Sequence, residues 1–97
     1  MENLENNVLL HSHICEELNE LYSTKNDLYG DSFHRTFVEE GFAMARIRLS
    51  DKLSRFKILS KRPANLVLEE SIRDTLLDLA NYSIMTIMEL DSLEEKE

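Results

Sequence analysis

Apolar residues along this chain recur every three or four positions and nowhere alternate strictly with polar ones, a pattern that predicts helices and no strand. The first predicted helix runs from about Leu4 or Val8 to Lys25, with Ile14, Leu18, Leu21 and Tyr22 on one face. Turn formers over residues 26–32, Gly30 among them, predict a loop. A short helix from Phe33 to Glu40 should end at Gly41, a residue suited to a helix C-terminus. The third helix, Phe42 to about Ser60, places Phe42, Ala45, Leu49, Leu53, Phe56 and Leu59 on one side, with Ile47 and Ile58 opposite as a candidate oligomer contact. Pro63 forces the next break because it lacks an amide donor. The fourth helix, about Leu66 to Leu90, is apolar almost all round between Leu76 and Met88, as expected of the central helix of a bundle, with Met85 and Met88 in the core. The expectation is an all-α fold, a four-helix bundle of three long helices and one short. It forms one domain over residues 1–91, with an acidic tail, 92–97, that frays.

Length makes self-association part of that picture. A chain of 97 residues buries only about 60–65% of its unfolded surface, so a site completed between subunits is expected. One cysteine, Cys15, permits no intrachain disulfide and no multi-cysteine zinc site, which suits a reducing compartment and predicts the cytoplasm; a packed, unreactive role is expected for it. No basic start followed by an apolar run suggests a signal peptide, and no stretch approaches the roughly 18 apolar residues of a membrane span.

The charges are unevenly distributed. The net charge of −8 weighs against direct binding of DNA or an anionic membrane, since the phosphate attraction needs excess Lys and Arg. Yet seven of the 11 basic residues fall between 46 and 62, where Asp51 is the one acid. Arg48, Lys52 and Arg55 form a stripe at the edge of the third helix's apolar face, and Lys52 falls inside that face. A cation there needs an anion, either a protein carboxylate or a phosphate.

Acidic residues gather on two other helices. Glu16, Glu17 and Glu20 lie within five residues of the first, and Glu17 and Glu20, at i, i+3, can converge on one cation. On the fourth, Glu70, Asp74, Asp78 and Asn81 share an arc of about 80° at 100° per residue. Asp78 and Asn81 interrupt the apolar run, where an unpaired carboxylate is costly. Two acidic rows beside a basic row suit a hard cation such as Mg²⁺, which takes one or two carboxylates together with substrate phosphates. His11, His13 and His34 show no spacing that sets them apart, and no phosphate-cradling Gly-rich loop is present.

The Glu-Glu-x-x-Glu of Glu16, Glu17 and Glu20, with Glu70-Ser-Ile-Arg-Asp74 in a later helix, resembles the metal-binding signature of the all-α nucleoside triphosphate pyrophosphohydrolases related to MazG and dimeric dUTPase. Three blocks, Lys25 to Phe33, Arg48 to Arg55 and Glu70 to Tyr82, resemble the nucleotide-modification-associated domain family of phages and bacteria. The first resemblance implies a MazG-like bundle that forms dimers or tetramers and hydrolyses a (deoxy)nucleoside triphosphate to monophosphate and pyrophosphate. It implies Mg²⁺, or Mn²⁺, on Glu17, Glu20, Glu70 and Asp74, with Asp78 able to substitute and Glu16 as a further ligand or the base that activates the attacking water. Lys25, Arg48, Lys52 and Arg55 would face phosphates, Tyr29 or Asn81 the base or sugar, and Ser32 the nucleotide. The setting implied is a bacterial cell or a phage-infected host. One departure stands out: Ser71 occupies the position, three before the Asp, where that signature has a Glu. A protein that binds a nucleotide without turning it over, and a helical module whose charges only pair with each other, are the competing readings.

Overall fold

The computed structural model describes the backbone of residues 4–95 and the side chains of residues 6–28 and 30–93. Over these residues the chain forms four helices and no strand: α1 (Leu4–Tyr29), α2 (Ser32–Glu40), α3 (Phe42–Ser60) and α4 (Leu66–Glu95). It divides after Gly30 into two compact units, Met1–Gly30 and Asp31–Glu97.

In the first unit α1 continues through Asn26 and Asp27 to Tyr29, four residues past its expected end at Lys25. Asn and Asp cost a helix only about 0.7 kcal/mol each relative to Ala, too little to break one that is already propagating. The break falls at Gly30, where φ is +66°. Leu18 is buried and Leu21 and Tyr22 half-buried, as the periodicity predicts, whereas Ile14 is exposed together with Val8, Leu9 and Leu10.

In the second unit α2 and α3 meet at a single residue. Gly41 ends one helix and precedes the other with φ +67° and ψ −151°, a conformation that L side chains avoid, and its amide donates to the Phe37 carbonyl at 2.7 Å. A Cβ there would touch nothing within 4 Å, so the backbone angle alone demands glycine. The sharp corner folds Phe37 over the start of α3. Phe37, Met44 and Ala45 form a buried cluster with Phe33 packed against it, and Phe37 meets Phe42 edge to face at 5.3 Å between ring centroids. Such an aromatic pair adds about 0.5–1.5 kcal/mol beyond the area it buries.

The chain leaves α3 through Lys61 and Arg62, whose amides reach back to the carbonyls of Ile58 and Leu59, and Pro63 then prevents further helix. Asn65 starts α4: its Oδ1 accepts the Leu68 amide at 2.9 Å, which satisfies one of the donors that a helix start leaves open. Two cross-helix pairs, Lys52 with Asp78 and Arg55 with Thr75, set the packing of α3 on α4. Three residues forward on α3 correspond to three back on α4, so the two helices run antiparallel.

α2 packs on both α3 and α4. His34 Nδ1 lies 2.9 Å from both carboxylate oxygens of Glu89, and Phe33 stacks on Tyr82 with centroids 6.0 Å apart. Within this unit α2 and α3 cover one side of α4 only. The expectation of an all-round buried α4 is therefore corrected: Leu76, Ile84, Ile87 and Met88 are 42–54% exposed, and Met88 lies outside the core. The acidic end also remains helical to Glu95, five residues beyond the expected end at Leu90.

Candidate functional site

The basic stripe of α3 and the acidic row of α4 meet at one ion pair. Lys52 Nζ lies 3.0 Å from Asp78 Oδ2, with the two side chains 29% and 27% exposed. Of the two anions that the position of Lys52 allowed, a carboxylate of the protein is the one it has, and that carboxylate belongs to the row read as metal ligands. One turn along, Arg55 Nε donates to Thr75 Oγ1 at 3.1 Å, and the Thr75 hydroxyl donates its own proton to the Ser71 carbonyl at 2.8 Å. Thr75 is only 2% exposed, so this relay satisfies a polar group that burial would otherwise penalise. It also fixes the Arg55 stem while leaving the terminal guanidinium nitrogens to other acceptors.

The remaining candidates are distributed as follows. Arg48 is exposed on α3, and Glu70 and Asp74 are exposed on α4, while Asn81 is half-buried. Ser32 opens α2, exposed, with its carbonyl accepting the Thr36 hydroxyl at 2.9 Å. On α1, Glu16, Glu20 and Lys25 are exposed and Glu17 is half-buried. The Tyr29 side chain lies outside the described residues. Within each unit, the described residues gather no group of three His, Cys, Asp or Glu side chains fit for a metal ion. Cys15, expected to be packed, is exposed, with Sγ 3.6 Å from His11 Nδ1 one turn earlier.

Thr75 and the His34–Glu89 contact escaped the sequence reading. Periodicity treats a Thr on a helix as neutral. The usable signal was paired spacing: Lys52 and Arg55 are three apart, as are Thr75 and Asp78, and an antiparallel register brings both pairs together. Also unforeseen is a groove of about 840 Å³ where α3 ends and α4 begins, lined by Ser54, Arg55, Ile58, Arg62, Val67 and Ser71 among others.

Residues 25–90 match the family described as Nucleotide modification associated domain 1. The chain belongs to that family. No curated protein and no solved structure matches it. The family's match runs from the last turn of α1 through most of α4, so it takes in Lys52, Asp78, Arg55, Thr75 and the whole groove. Glu16, Glu17 and Glu20 fall before it. Among the described residues no helix is long and apolar enough to cross a membrane.

Proposed function

We propose that this member of the nucleotide modification associated family is a Mg²⁺-dependent pyrophosphohydrolase of a (deoxy)nucleoside triphosphate, as its resemblance to the MazG-like enzymes suggests. The observation that carries the reading is the Lys52–Asp78 pair, where the basic stripe of α3 meets the acidic row of α4. The donor chemistry fits the cation: Glu70 and Asp74 are exposed hard-oxygen donors one turn apart, and Mg²⁺ is commonly held by one or two carboxylates with waters and substrate phosphates filling its shell. Bound there, the cation would neutralise phosphate charge and make a coordinated water more acidic.

Arg48 and Arg55 hold phosphate oxygens, and Lys52 exchanges its Asp78 partner for one of them as substrate arrives. Water attacks the α-phosphorus, the bond to the bridging oxygen breaks, and pyrophosphate leaves. A carboxylate takes the water's proton. The family resemblance also suggests dimers or tetramers, and the exposed Leu76, Ile84 and Ile87 on α4 offer apolar area for such a contact.

The test is pyrophosphate release from a panel of common and modified (d)NTPs with Mg²⁺ or Mn²⁺. Turnover that Asp74→Asn and Glu17→Gln each reduce at least a hundredfold supports the reading; no release from any substrate ends it. One alternative has its own support. Ser71 in the signature and Asp78 engaged by Lys52 leave fewer carboxylates for metal, which favours a protein that binds a nucleotide without hydrolysing it. That alternative predicts a nucleotide-dependent rise in melting temperature without turnover.

A further inference from the structure

The groove between the end of α3 and the start of α4 is lined by both apolar and charged side chains. Ile58, which follows Arg55 by three residues and precedes Arg62 by four, and Val67 and Leu68 across from it on α4 supply apolar area, while the two arginines outnumber the single carboxylate of Asp51. Among the described residues neither arginine enters an ion pair. Arg55 spends Nε on Thr75, which orients the rest of its fork, and Arg62 engages the α3 terminus through its backbone amide alone. At the start of α4 the Leu68 amide is already taken by Asn65, and the guanidiniums are the charged groups that would attract an anion. The volume of about 840 Å³ lies within the range of small-molecule sites, roughly 300–1,000 Å³.

An anion alone has no use for the apolar side chains, and an apolar ligand has none for two arginines that enter no ion pair. A nucleotide uses both. We propose that this groove is the nucleotide pocket, with Arg55 and Arg62 holding the phosphate nearest the sugar and Ile58, Val67 and Leu68 receiving the base. The inference rests on the nucleotide reading above but needs neither metal nor hydrolysis. Arg55 belongs both to the groove and to the basic stripe, so it is the residue at which a phosphate chain would pass from one to the other.

The experiment titrates the full chain, in EDTA, with each of the four 2′-deoxynucleoside monophosphates, and separately with inorganic phosphate and the free nucleosides. Binding is followed by amide chemical shifts. Pyrophosphate release with Mg²⁺ is measured in parallel. Saturable shifts at Ser54, Ile58, Arg62 and Val67 are expected with at least one monophosphate. Phosphate and nucleoside alone should bind at least about tenfold more weakly, because each engages only one kind of lining side chain. Arg62→Ala and Val67→Glu, both at exposed positions, should weaken binding about tenfold or more with an unchanged circular dichroism spectrum. Absence of shifts in the groove, unchanged affinity in both variants, or phosphate binding as tightly as the monophosphates would overturn the proposal. Release of pyrophosphate without groove shifts would sink the pocket and spare the hydrolase; groove shifts without release would do the reverse.

Discussion

The Lys52 ammonium and the Asp78 carboxylate lie 3.0 Å apart across the α3–α4 interface, each about seven-tenths covered. Placed between exposure and burial, the pair sets the register of the two helices without the full desolvation cost of a buried ion pair. It also occupies the lysine that a phosphate would otherwise claim.

That competition has a measurable consequence. A double-mutant cycle with Lys52→Met and Asp78→Asn should give a coupling energy of about 0.5–1 kcal/mol by urea denaturation, the scale of partly exposed pairs. Asp78→Asn alone should tighten binding of a triphosphate severalfold in metal-free buffer, because it releases Lys52. Weaker binding would mean that Asp78 contacts the ligand itself.

Thr75→Val keeps shape and removes the hydroxyl. The Ser71 carbonyl retains its helical amide donor, while Arg55 Nε loses its acceptor. The expected cost is about 1 kcal/mol in stability, with nucleotide affinity several times lower because the guanidinium is no longer oriented. Denaturant midpoints and calorimetric titration on one preparation read both effects.

Gly41→Ala tests the α2–α3 corner. Space around the residue is open, so any loss reflects backbone strain at φ +67°, and about 1–3 kcal/mol is expected. A thermal midpoint unchanged within one degree would show that the corner relaxes to another conformation.

Glu89→Ala removes the partner of His34, the polar tie between α2 and α4. Hydrogen exchange should quicken over residues 32–40 before it changes in α3, since α2 then keeps Phe33 and Phe37 as its main anchors. Uniform acceleration throughout the unit would instead place this contact in the global unfolding core.

Replacing Ile84 and Ile87 with Glu tests self-association. Both side chains are about half exposed on α4, so the monomer should tolerate the change. Sedimentation velocity should move from a dimer or tetramer to monomer in the double variant. A wild-type chain that is monomeric at high micromolar concentration excludes this face as the contact.

Much of the helix layout was legible because it depends on local chemistry. Gly41 and Pro63 stop helices for reasons written into single residues, and α3 has the expected bounds. The end of α1 is not legible, because Asn26 and Asp27 resemble turn formers yet neither overcomes a propagating helix. The burial of α4 is not legible either, because hydropathy reports what a helix can bury, not how many partners cover it. In the candidate site, Lys52 was identified as needing an anion, but the choice of Asp78 depends on the antiparallel register. The groove follows from the same register: Arg62 and Val67 become neighbours only because the chain reverses at Pro63.

The five-residue connection between α3 and α4 has a kinetic meaning as well. Lys52 with Asp78 and Arg55 with Thr75 each close loops of fewer than thirty residues, and the groove draws on residues 51–71. Loops of this length close at modest entropic cost, and helical folds, dominated by contacts within a few turns, are the ones that fold in microseconds to milliseconds. The surfaces assigned here to ligand binding should therefore form among the earliest parts of the molecule, as soon as the helical hairpin closes.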